Sequence, residues 1–142
     1  MAVLLSAYGS STTVLSTELN SLGNGSLSAA GSAYDNSSNL YVMCAVELNL
    51  IVQLSARSAG ATVTLFMSSS ATGTAQDLTV ESPLATVFAL DAATTARVHT
   101  LHADIWLTPS SSIKFALLNS TGQTMGALLN TVKVTPYTMT VA

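Results

Sequence analysis

The sequence predicts an all-β fold, an antiparallel β-sandwich or barrel, on three observations. From Asn39 to Ser55 an apolar residue falls at every second position. Short runs rich in Val, Leu, Ile, Thr and Phe recur along the rest of the chain, split by Gly, Pro, Ser and Asn. No segment carries the i, i+3, i+4 apolar stripe of an amphipathic helix.

Residues 1–38 are rich in Ser, Thr, Asn and Gly, with scattered apolar points at Val3, Leu4, Leu5, Val14, Leu15, Leu19, Leu22 and Leu27. This composition reads as an arm with loops belonging to the same domain, and Asn24-Gly25 and Asp35-Asn36-Ser37-Ser38 are turn signals. An arm of this kind is expected to lie across a neighbour and to order on it, or else to form the first strand of its own sandwich. The expected sandwich core spans 39–142, giving one domain overall.

The run Asn39–Ser55 reads as one long strand. Leu40, Val42, Cys44, Val46, Leu48, Leu50, Val52 and Leu54 share its core face, and Tyr41, Met43, Ala45, Glu47, Asn49, Ile51 and Gln53 share the other. The mixed character of that second face suits partial cover by another chain. Arg57 to Gly60 reads as a turn, Ala61–Ser69 as a strand, and Ser68–Gln76 as a loop of small residues. Further strands are expected at Leu78–Val80, Thr86–Leu90, Arg97–Leu107, Ile113–Asn119 and Asn130–Val141. Pro136 is expected at an edge or bulge because it has no amide to give a ladder. The best helical candidates, Thr13–Leu22 and Thr124–Leu129, are short and uncapped.

Composition narrows the function. Only 8% of the residues are charged, the net charge is −3 and mean hydropathy is +0.49. Arg57, Arg97, Lys114 and Lys133 stand singly, which excludes the clustered basic footprint of nucleic-acid binding. No apolar stretch approaches the ~18–20 residues of a spanning helix, so no membrane segment is expected. The N-terminal MAVLLSAYGSS lacks the basic residues of a signal peptide, and synthesis in a cytoplasm is expected.

The candidate chemical groups do not assemble into a site. Cys44 falls in the apolar register of the long strand and reads as a buried thiol. His99 and His102 are three apart and point to opposite faces of a strand. His102 and Asp104 share a face, but two ligands fall short of a metal site. The carboxylates Glu18, Asp35, Glu47, Asp77, Glu81, Asp91 and Asp104 are dispersed, and no Gly-x-Ser-x-Gly elbow occurs. Asn119-Ser120-Thr121 matches a glycosylation sequon but reads as a turn. Trp106, Phe66, Phe88 and Phe115 read as core residues, leaving no aromatic platform for a carbohydrate. No catalytic residue, no cofactor, no metal and no small-molecule substrate are expected, and the chain is not expected to be an enzyme.

The stretch TELNSLGNGSLSAAGSAYDNSSNLYVMCAVELNL from Thr17, the AGATVTLFM segment at Ala59–Met67, KFALLNSTG at Lys114–Gly122 and the closing strand together resemble small structural proteins of tailed bacteriophages. The resemblance spans most of the chain. It implies a virion component, a head decoration or cement protein with a jelly-roll-like sandwich that sits on the outer capsid surface. Such a protein bridges neighbouring major capsid subunits and is commonly a homo-oligomer. The segment Ser68 to Asp77 departs from the pattern in being short and plain, which weighs against receptor binding through it. The alternative is a tail, fibre or host-surface glycan-binding module using the loops Ser68–Gln76 or Thr121–Met125.

Overall fold

In a computed structural model, residues 3–38, 41–52, 60–70, 78–79, 82–91, 97–107 and 112–141 are described. Among these residues nine strands run in chain order: β1 Val3–Tyr8, β2 Thr12–Leu15, β3 Tyr34–Asp35, β4 Met43–Val52, β5 Thr62–Ser70, β6 Leu84–Ala89, β7 Arg97–Trp106, β8 Ser112–Ser120 and β9 Thr131–Val141. The first sheet has the order β1-β9-β4-β7, with β2 also on β9, and the second has the order β3-β8-β5-β6. Every pairing is antiparallel.

The hairpin partners nest. β5 pairs with β6, β4 with β7, β3 with β8, and β1 and β2 with β9. A chain folded back on itself in this way and rolled into two sheets is a jelly roll. The sheets pack on each other through one core: Cys44, Val46, Leu48, Leu50, Ile105, Val132 and Val134 from the first, and Val63, Leu65, Phe88, Ile113, Phe115 and Leu117 from the second. Alternation dictates this selection, since each strand sends every second side chain inward. In β4 the alternation expected from the sequence holds from Cys44 to Leu50. Val42 is instead exposed at a bend before the strand, and residues 39–40 and 53–55 lie outside those described.

Of the two expectations for the N-terminal segment, the structure matches the one in which it forms strands of its own sandwich. β1 and β2 are consecutive strands on the same neighbour, β9, separated at Gly9–Ser11. Pro136 sits opposite that interruption and accepts the Gly9 amide at 2.8 Å. Its missing N–H therefore falls where the ladder is already broken, which lets a proline occupy a strand flanked on both sides. The final strand is consequently central, held between β4 and β1/β2, and not free for a neighbouring molecule.

Residues 25–31 continue the pairing begun by β3 along the outer edge of β8. Gly25 donates to Asn119, Ser28 to Leu117 and Gly31 to Phe115, while Asn119 donates to Ser26. The Leu117 amide goes to the Ser28 hydroxyl at 3.0 Å, a side chain standing in for a carbonyl. The small, polar composition of this stretch makes an irregular strand that closes a sheet edge.

Neither weak helical candidate forms an α-helix among the described residues, as the all-β reading expects. Thr17–Leu19 is a single 3₁₀ turn following β2, and residues 124–129 are not helical. β5 runs to Ser70, one residue past the expected strand end at Ser69, and of the expected loop Ser68–Gln76 residues 71–76 lie outside the described residues. Leu78 and Thr79 are not in a strand, and residue 80 lies outside those described.

Candidate functional site

The outer face of the first sheet is the candidate site. Register fixes its rows. Tyr8 pairs with Tyr137, Tyr137 with Met43, and Met43 with Trp106, so one row crosses four strands. The middle of the row is buried: the Tyr8 and Tyr137 rings lie 5.7 Å apart, tilted by 50°, and Tyr137 and Met43 are covered. The ends stand in solvent, with Tyr8 61% and Trp106 67% exposed. An apolar and aromatic band thus runs across the whole sheet.

The neighbouring rows are polar. Ala45 sits between Thr135 and Asp104, Glu47 between Lys133 and His102, and Asn49 between Thr131 and Thr100. Asp104 accepts the Tyr137 hydroxyl; burial pushes the Tyr137 pKa up, and this hydrogen bond pushes it further. Asn49 donates to Glu47 at 2.8 Å and accepts from the Thr100 hydroxyl at 2.7 Å. These links hold the side chains of the face in place. Opposite charges side by side across strands favour the arrangement modestly, by ~0.2–1 kcal/mol a pair.

Apolar surface returns at the far end of the sheet. Ile51 pairs with Val98, which is exposed, and the turn 126–130 adds exposed Leu128 and Leu129. Buried Asn130 holds this turn: it donates to the Gly126 carbonyl at 2.7 Å and accepts the Ile51 amide at 2.9 Å. Leu129 takes φ +68°, a conformation that a leucine adopts only under constraint.

The other singled-out groups are structural. Cys44 lies in the core, where burial drives its thiol pKa up to about 12, with Asp104 adding to the effect. A thiol in that setting is not a nucleophile at ordinary pH. Asn119 of the sequon is fully buried. Its amide donates to Leu22 at 2.8 Å and Gln123 at 2.7 Å, and its oxygen accepts from the amide and hydroxyl of Thr121. The segment Thr121–Met125, considered as a binding loop, is tied down by this network and by Met125 in the core. His99 is buried and His102 exposed on opposite faces of β7, and no three His, Cys, Asp or Glu side chains cluster among the described residues.

No protein-family model and no curated protein matches the sequence. Trp106 overturns its expected place in the core. The signal was present in β7: Leu101, Ala103, Ile105 and Leu107 share one parity, and Trp106 falls with Thr100, His102 and Asp104 on the other.

Proposed function

We propose that this chain is a structural virion protein that binds the outer surface of a bacteriophage capsid and stabilises it by bridging neighbouring major capsid subunits. The observation that carries the reading is the Tyr8–Tyr137–Met43–Trp106 row, which presents the Tyr8 and Trp106 rings at its two ends, flanking covered Tyr137 and Met43, on an otherwise hydrogen-bonded outer face. Protein interfaces are enriched in Tyr, Trp and Met at their centres, and a cement protein needs contact area rather than turnover. The low charge of the chain and its resemblance to tailed-phage structural proteins support the same reading. Exposed apolar side chains elsewhere, at Leu84, Val87, Leu128 and Leu129, supply contacts on more than one side, as bridging requires.

The test is reconstitution on shells that lack the protein. Added protein should co-sediment with the shells and raise their resistance to heating, and Trp106→Ala should weaken both effects. Equal resistance with and without bound protein would count against reinforcement.

A second reading, host-surface glycan binding, draws on the same row, because Trp106 stands exposed next to Asp104 on a face that also carries His102, a ring for stacking on a face with hydrogen-bonding groups. Binding of the isolated protein to a host glycan array, together with absence from heads, would favour it.

A further inference from the structure

We infer that two copies of this chain pair through β7, edge to edge, about a two-fold axis at Ala103. The inference does not rest on the capsid reading.

β7 is the one long, regular free edge among the described strands. It is ten residues long, pairs with β4 over its whole length without a register shift, and has no named strand on its other side. The other edges are blunted. β1 and β2 each carry a register shift, β3 has two residues, and β6 has six and a shift against β5. Natural edges are guarded by Pro, charged side chains, bulges or shortness; β7 has no Pro, no Lys and no bulge against β4, and its charges are confined to Arg97 and Asp104.

The polarity of the edge follows from one hydrogen bond. Leu107 donates its amide to Val42 at 2.8 Å, so the odd-numbered residues of β7 face β4 with their backbone groups. The even-numbered residues from Val98 to Trp106 direct theirs to the free edge. These same residues carry the outward side chains.

The side chains select the register. With the axis at Ala103, His102 of one copy faces Asp104 of the other and Asp104 faces His102, giving two pairs of complementary polarity and charge. Thr100 of the first copy faces Trp106 of the second, with the first copy's Val98 and His102 on either side of Thr100, so Trp106 and Val98, both more than half exposed in the single chain, gain cover. Moving the axis by one residue, to His102, sets His102 against His102 and separates it from Asp104. Such an interface is isologous and closed, which spares the edge from open-ended pairing.

Sedimentation velocity and two sets of variants test this on the whole chain. The wild-type protein should sediment as a dimer that dissociates on dilution. His102→Asp should weaken dimerisation on the order of tenfold by setting like charges opposite each other. The swap His102→Asp with Asp104→His should restore it, because only the Ala103 register keeps the exchanged pair face to face. Ala103→Cys should link the two copies by a disulfide on mild oxidation, since a non-hydrogen-bonded antiparallel pair brings the α-carbons to about 4.5 Å, whereas His102→Cys should not. A monomer at every concentration, a swap that stays weak, or linkage through residue 102 in place of 103 would overturn the inference.

Discussion

Gly31 lies so close to the carbonyl oxygen of Val14 that no Cβ fits between them, and the Leu15 Cδ2 stands 2.8 Å from the same position. This contact joins the irregular strand on β8 to β2 across the sandwich. Gly31→Ala must push apart two backbones, not a side chain. We expect a loss of ~3 kcal/mol or more of stability, at or beyond the upper end of overpacking, read by urea denaturation. An unchanged midpoint would mean that segment 25–31 does not pack as described.

Asn119 offers a second stability test. It is fully buried and satisfies four partners around the turn after β8. Asn119→Ala leaves the Thr121 amide without its partner, while the Leu22 carbonyl keeps the Met125 amide and the Gln123 carbonyl keeps the Thr121 hydroxyl. A loss of ~1–3 kcal/mol is expected in thermal or urea denaturation, the cost of an orphaned buried group.

Cys44 makes a pH prediction. Its thiol pKa rises from an ordinary 9.0 to about 12 in the folded chain because burial disfavours the thiolate. The unfolded chain therefore loses this proton first as pH rises, and the stability that the buried thiol contributes is present below pH 9.0 and lost between there and about pH 12. Tyr34 and Tyr137 are also pushed up and act in the same direction. Stability should fall above pH 9, and Cys44→Ala should make the fall shallower. A thiol reagent at pH 8 should leave the native chain unlabelled and label it fully in denaturant.

Trp106 is the only tryptophan, so its fluorescence reports the outer face alone. Emission should be red-shifted and quenched by iodide in dilute solution, and should move to the blue as concentration rises and β7 edges pair. Trp106→Ala should change the stability of the single chain by no more than ~0.5 kcal/mol, as for other exposed positions. A blue-shifted, unquenchable spectrum in the dilute chain would place the ring in the interior.

The strands were legible where one face is buried and the other is not. In β4 the apolar period matches the burial from Cys44 to Leu50, and the turns at Asn24-Gly25, Gly60 and Thr121-Gly122 fall where their glycines take positive φ. Segment 25–31 was not legible because it pairs through scattered amides and one serine hydroxyl, which leaves no period. β1 and β2 were obscured by the break at Gly9, which splits one strand position into two short pieces. The outer face was half legible. The sequence marks His102 and Asp104 as neighbours, but the row linking Tyr8, Tyr137, Met43 and Trp106 joins residues far apart in the chain and exists only once register is set.

The most direct test of the account is an electron cryo-microscopy map of decorated particles. It should show this jelly roll on the head, with the Tyr8–Trp106 row of the first sheet against the capsid lattice and density continuing across neighbouring subunits. Absence of the protein from the head, or attachment with that row turned to solvent, would contradict it.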